Sequence, residues 1–245
     1  MPPVHAARAT GVATLTLDSP ANRNALSADL VAALRAALAD AGGDPAVRAV
    51  VLTHTGTTFC AGADLKSPCD PADFLALLRE IAELPKPVVA RVTGHVRAGG
   101  LGLLGVCDIA AAGPQSSYAF TETHLGLAPA VISIPLLPRL DPRAAARYFL
   151  TAEAFDAAEA TRIGLLTLHS EGDVDDVLAP VLAGLRKASP QGLAATKSLT
   201  AAAVREAVAR DGARLTELSA GLFASDEARE GITARFERRN PSWAL

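Results

Sequence analysis

The chain has 245 residues, of which 50% are hydrophobic and 20% charged, with a net charge of −3. That length buries a large core in one domain or two, and with neither a basic excess nor an acidic run nothing favours nucleic-acid binding or a disordered tail. The longest apolar stretch, Ala98 to Cys107, falls far short of the ~18 residues of a membrane span, and the N-terminal MPPVHAARATG has no continuous apolar segment, which predicts a cytoplasmic protein.

In chain order, VATLTLD (Val12 to Asp18) alternates apolar and small polar residues and reads as a strand with one buried face. Ser19-Pro20 breaks it, and NRNALS (Asn22 to Ser27) is a loop. Ser27 can cap a helix whose Leu30, Val31, Leu34, Leu38 and Ala41 share a face before Gly42-Gly43 stops it. AVVLTH (Ala49 to His54) suits a strand buried on both sides. TGTTFCAGADLKS is then an irregular loop, rich in Gly and Thr. Asp70-Pro71 opens a helix with Phe74, Leu77, Leu78, Ile81 and Leu84 on one face, ended by Pro85 and Pro87. Strands follow at Val88 to Val92 and Asp108 to Ala112, and the alternation implies an α/β fold with crossover connections. Beyond Gly113 the signal turns helical: a short helix from Asp141-Pro142, one capped by Asp156 with Glu159 and ending at Gly164, then Val174 to Ala188, Leu193 to Arg210 and Ser225 to Arg238. An α/β body over 1–190 and a helical part over 191–245 is the expected division. A helical lobe without a strong core of its own suggests packing on another subunit.

Between the strand at Val88 and that at Asp108 lies RVTGHVRAGGLGLLGVC (Arg91 to Cys107), around which the chain is organised. A strand feeding a helix start almost free of side chains leaves first-turn N–H groups unpaired, a donor site made of backbone. It is not a phosphate-cradling P-loop, because Gly100 stands where GxxxxGK[ST] requires lysine, and no acidic fingerprint of a dinucleotide fold follows. Cys60, Cys69 and Cys107 lack paired metal or redox spacing and read as reduced, mostly buried small hydrophobes.

FCAGADLK (Phe59 to Lys66), KPVVARVTGHVRAGGLGLLGVCDIAAAG (Lys86 to Gly113), FTETHLGLAP (Phe120 to Pro129) and ASDEAREGITARFERR (Ala224 to Arg239) together resemble the enoyl-CoA hydratase/isomerase, or crotonase, superfamily. The similarity runs from about Val12 to the C-terminus, with NRNALS in its usual place. It implies a crotonase-like spiral of ββα units, a helical C-terminal part used in trimerisation, and acyl-CoA thioesters of fatty-acid metabolism as substrates.

The resemblance places the two backbone N–H groups that hold the thioester oxygen on Ala63 and Gly99. Fixed donors at that oxygen stabilise the enolate without reorganising, and small residues let the thioester approach the main chain. It also places coenzyme A along Arg23, Ala25, Ala61, Asp64, Leu65 and Lys66, with the two cations suited to phosphates and the others lining adenine and pantetheine. Phe223 matches a position near a neighbouring subunit's ligand, with a buried helix aromatic as the alternative.

The best-known hydratases of the family carry two glutamates. The second corresponds to Glu122, whereas the first falls on Gly102, and no Asp or Glu lies between Arg91 and Cys107. Glu122 held away from water would exchange protons near neutrality. His95, His124 and Arg97 are neighbouring polar candidates, Arg97 at the pocket rim for an acyl group or CoA. The expectation is an enoyl-CoA hydratase with Ala63, Gly99 and Glu122 as its machinery. Alternatives are an enoyl-CoA isomerase, a CoA-thioester hydrolase and, from another class, a non-catalytic acyl-CoA-binding subunit. No metal site and no cofactor apart from the substrate's own CoA are expected, nor a nucleic-acid or membrane partner, and assembly is expected as a homotrimer or hexamer.

Overall fold

The computed structural model describes residues 2–245. Strands β1 (Val4–Ala9) and β2 (Val12–Leu17) form an antiparallel hairpin, closed by Thr10 and Gly11 at φ of 46° and 78°. Two successive positive φ values match the twist of a two-residue hairpin turn. Strand β1 was not expected, and its burial pattern gives the reason: after Val4 its residues are half-buried or exposed, so no apolar alternation marks it. Helix α1 (Ala28–Gly43) is capped by Ser27, whose Oγ accepts from Leu30 N at 3.2 Å, and it buries the five residues its periodicity predicts.

From there the chain winds in repeated units of two strands and a helix. The first unit is β3 (Ala49–His54), β4 (Thr58–Cys60) and α2 (Pro71–Glu83). The second is β5 (Val88–Val92), β6 (His95–Arg97) and α3 (Gly99–Val106), and the third β7 (Ile109–Ala112), β8 (Ser117–Ala119) and α4 (Ala130–Leu136). Next come α5 (Pro142–Thr151), β9 (Phe155–Asp156), α6 (Ala157–Arg162), β10 (Leu168–His169) and α7 (Val174–Lys187). The longer strand of each unit joins a six-stranded sheet, β1-β2-β3-β5-β7-β10, parallel from β2 onward; the shorter joins a four-stranded sheet, β4-β6-β8-β9. This is the expected spiral of ββα units. Strand β3 is buried throughout because Val50 and Leu52 enter the main core while Val51 packs with Val12, Val89 and Ala111 against Val174 and Leu178 of α7.

Three expectations are corrected. The Gly- and Thr-rich stretch after His54 contains β4, and the region after Gly113 contains β8, β9 and β10, each too short to show alternation. The helix expected over Leu193 to Arg210 is two: α8 (Pro190–Thr200), capped by Ser189, and α9 (Ala202–Phe223), separated at Ala201. Helix α10 (Asp226–Glu237) ends the fold. Helix α9 packs on α2 and α4, and α10 on the short 3-10 turn Glu122–Leu125.

Candidate active site

The NRNALS loop begins with a left-handed pair, Arg23 and Asn24, at φ of 58° and 53°. Asn24 is fully buried and pins the loop: its Oδ1 accepts from Ser19 N at 2.7 Å, and its Nδ2 donates to Thr58 O at 2.8 Å and Thr55 O at 3.2 Å. Leu26, two residues on, brackets the loop after β4. Its N–H donates to Gly62 O at 2.8 Å and its carbonyl accepts from Asp64 N at 3.3 Å. The N–H of Ala63, between them, has no acceptor among the described residues.

A second backbone segment lies against this loop. Ala98, after β6, takes φ 47° and ψ −120°, an uncommon conformation for a residue with a Cβ, and donates its N–H to Ala119 O at 3.1 Å. The N–H of Gly99, the first residue of α3, is also without an acceptor among the described residues. A Cβ added to Gly62 would fall 2.7 Å from that of Ala98, and one added to Gly99 would fall 3.7 Å from Ala63 N. The bare backbone thus lets two unpaired N–H groups stand side by side, and both residues line a cavity of about 400 Å³.

The same cavity takes in Glu122, the first residue of the 3-10 turn. Only 9% exposed, its carboxyl is pushed up to about 7 by burial, against a weaker opposing hydrogen bond from its own backbone, and its Oε2 has no partner. A carboxyl so poised takes and returns protons at neutral pH. Gly102 offers no second acid: a Cβ there would lie 2.7 Å from Ile132 Cγ2 and 3.3 Å from Phe74 Cζ, so hydrocarbon already fills that space. Apart from Glu122, the charged residues lining the cavity are Arg97 and Arg235.

Of the residues singled out in the sequence, Ala61, Ala63, Leu65, Arg97, Gly99, Glu122 and Phe223 line the cavity. Arg23 and Lys66 are exposed outside it, and Ala25 is buried behind its wall. Asp64 is a turn-holder: burial works against its charge, but hydrogen bonds from Lys66 N, Asn22 Nδ2 and Ser67 N keep it below the usual carboxylate value. His95 and His124 do not reach the cavity; both are exposed, and His95 Nδ1 lies 2.9 Å from Ser117 Oγ. Among the described residues no three His, Cys, Asp or Glu side chains gather as metal ligands. Sequence reasoning missed Asn24 and Leu26 as loop-holders, although both stand in the motif it quoted. It also missed Arg235, which nothing separates from the other arginines of AREGITARFERR.

Comparison with known proteins extends these observations. A sequence model described as enoyl-CoA hydratase/isomerase matches residues 7–244. The chain is similar to a crystal structure of an enoyl-CoA hydratase from Mycobacterium avium, at 54% identity and a TM-score of 0.93 over 99% of both chains. It is 31% identical to crotonyl-CoA hydratase of Syntrophomonas wolfei over 95% of this chain and 94% of that one. It is 30% identical to mevalonyl-coenzyme A hydratase of Aspergillus fumigatus over 94% of this chain and 90% of that one.

Proposed function

Because the chain belongs to the enoyl-CoA hydratase/isomerase family, we propose that it is an enoyl-CoA hydratase that works with one glutamate. The observation that carries this reading is the meeting, in one cavity, of two unpaired backbone N–H groups and one buried carboxyl with an unpartnered oxygen. In this reading the thioester oxygen accepts from Ala63 N–H and Gly99 N–H, which gain strength as the oxygen becomes an enolate. Glu122, deprotonated, takes a proton from water as the water oxygen bonds to Cβ, and gives a proton to Cα as the enolate collapses. The sum is addition of one water across the double bond, with the carboxylate regenerated. Ala61 and Leu65 would line the pantetheine arm on its way out, with Ala25 and Asp64 behind it and Arg23 and Lys66 exposed for the phosphates. The chemistry needs no cofactor beyond the CoA of the substrate.

Gly102 favours one second reading. With hydrocarbon filling the place of a second acid, a lone carboxyl also suffices to move one proton between Cα and Cγ, which is isomerisation of a 3-enoyl-CoA.

The test is turnover of crotonyl-CoA, followed as loss of the conjugated thioester absorbance, beside Glu122→Gln. We expect turnover in the wild type and a fall of about 10²- to 10⁴-fold in the variant, with affinity for butyryl-CoA kept within a few fold. Unchanged turnover in the variant would remove Glu122 from the chemistry. Turnover of a 3-enoyl-CoA but not of crotonyl-CoA would favour the isomerase, and tight binding with neither reaction a binding subunit.

A further inference from the structure

The cavity carries more positive charge than hydration requires. Arg97, on β6, lies two residues before the Gly99 N–H, and its half-buried guanidinium donates to Val96 O at 2.9 Å, Ser117 O at 2.6 Å and Ser117 Oγ at 2.8 Å. Those bonds use three of its five N–H donors and leave the Nε–H and one Nη2–H free. All three acceptors are neutral. Burial and the neighbouring charge of Arg235 both hold the Arg97 guanidinium below its ordinary value, and no carboxylate offsets them. Arg235 reaches the cavity from the exposed side of α10 and also makes no ion pair among the described residues.

Glu122 does not serve as their counter-ion: among the described residues it makes no ion pair with either arginine, and its buried Oε2 has no hydrogen-bond partner. Every other residue lining the cavity is uncharged. Two guanidinium groups that disfavour each other, beside apolar walls such as Phe74 and Ile132, are expected to be balanced when a ligand brings an anion. Coenzyme A phosphates are one source of anions, but Arg23 and Lys66 lie outside the cavity, whereas Arg97 lies within it beside the donors proposed for the thioester carbonyl. An anion there belongs on the acyl side of the thioester.

We propose that the acyl group accepted by this site ends in a carboxylate, so that the substrate is the CoA monothioester of a short unsaturated dicarboxylic acid, with its free carboxylate held by Arg97 and Arg235. The proposal rests on the acyl-CoA reading of the site but not on which reaction Glu122 performs. Arg97 supplies directional hydrogen bonds from a fixed position, and Arg235 closes over the carboxylate from the C-terminal helix.

Binding of unreactive thioesters separates this proposal from the reaction. Succinyl-, glutaryl- and adipyl-CoA are titrated against butyryl-, pentanoyl- and hexanoyl-CoA by calorimetry, with free CoA alongside, on the wild type and on Arg235→Gln. Arg235 is exposed, so the substitution spares the fold; circular dichroism checks this. The expected result is a preference of about tenfold or more for at least one dicarboxylic thioester over its neutral counterpart, the size of a charge-assisted hydrogen bond. Arg235→Gln should erase most of that preference while leaving neutral thioesters and free CoA within about twofold. Equal affinity for charged and neutral thioesters in the wild type overturns the proposal and leaves the acyl-CoA reading standing. A variant that loses neutral thioesters, dicarboxylic thioesters and free CoA alike would assign the arginine to the CoA phosphates and also overturn it. Failure of every thioester to bind would remove both readings.

Discussion

The burial that would suit Glu122 to the proposed proton transfer is also costly to the fold. Burial moves its carboxyl from the ordinary 4.5 to about 7, so between those values the native state keeps a proton that the unfolded chain has released. Stability therefore falls as pH rises through that window; below it both states are protonated and above it both are ionised, so the contribution is flat on either side. Glu122→Gln removes the ionisation. The variant should gain on the wild type across the window and be more stable near pH 8 by up to about 3 kcal/mol, with the advantage absent near pH 4.5. Urea denaturation of both proteins at the two pH values measures it, and an equal difference at both would mean that the carboxyl is not buried as described. Activity should run the other way. If Glu122 begins the reaction as a base, kcat/KM for crotonyl-CoA rises with pH through about 7, the value at which the wild type loses the last of this stability.

At the scale of elements, the close packing of α3 on α4 explains why the site has one carboxyl. Gly102 and Gly105 face Ile132 and Leu136, and a Cβ at either glycine would stand 2.7 Å from a side-chain carbon of α4. Alanine in a helix interior is favoured over glycine by about 1 kcal/mol, but overpacking a filled core costs about 1–3 kcal/mol. Ile132 is buried and β-branched, so its Cγ2 has little freedom to withdraw. Gly102→Ala should therefore lower the thermal midpoint, and Gly102→Ala with Ile132→Ala should cost less than the two single changes summed, because the second removes the atom the first strikes. Strict additivity in the melting data would refute the contact. This packing was invisible in the sequence, which shows a glycine but not what lies against it. The longer segments were legible: α1 and α2 fall where helical periodicity puts them, and β3 and β5 where continuous apolar runs do, because burial on one helix face or on both strand faces extends over several residues. Strands β4, β6 and β8 have three residues each and show no period; they form because parallel neighbours in the second sheet accept them. Ala63, Gly99 and Glu122, which the structure brings to one cavity, were singled out in the sequence only through the resemblance of their blocks to a known family. Arg235 could not be singled out, since only the folding of α10 across the cavity distinguishes it from its neighbours.

Across the whole molecule, the cavity has two kinds of wall: loops and helix residues of the ββα spiral, and Ser219, Ala220, Phe223, Ile232 and Arg235 from α9 and α10. How firmly the second wall is held depends on what fastens the C-terminal helices to the sheet. Lys197 of α8 is 4% exposed, and its Nζ lies 2.8 Å from Asp108 Oδ2, 2.8 Å from Ile81 O and 3.0 Å from Lys86 O. The ammonium group thus donates to two backbone carbonyls and pairs with the Asp108 carboxylate, whose Oδ2 also accepts from Val88 N at 2.8 Å. One side chain joins the last turns of α2, the start of β5, the residue before β7, and α8. Removing one partner of a buried pair leaves the other charge uncompensated, at a cost of about 3–5 kcal/mol, whereas removing both is far milder. Lys197→Met should therefore destabilise strongly, and Lys197→Met with Asp108→Asn should recover much of the loss in a double-mutant cycle. Hydrogen exchange locates the damage. Amides of α8, α9 and α10 should lose protection in the single variant, while those of β2, β3 and β5, held by their own ladder and core, keep theirs. Uniform loss of protection would mean that the helices and the sheet unfold as one unit. Loss confined to the helices would mean that the wall carrying Arg235 can loosen while the spiral that presents Ala63, Gly99 and Glu122 stays folded, so that the acyl-group selection and proton transfer proposed above would rest on separately stabilised parts of one chain.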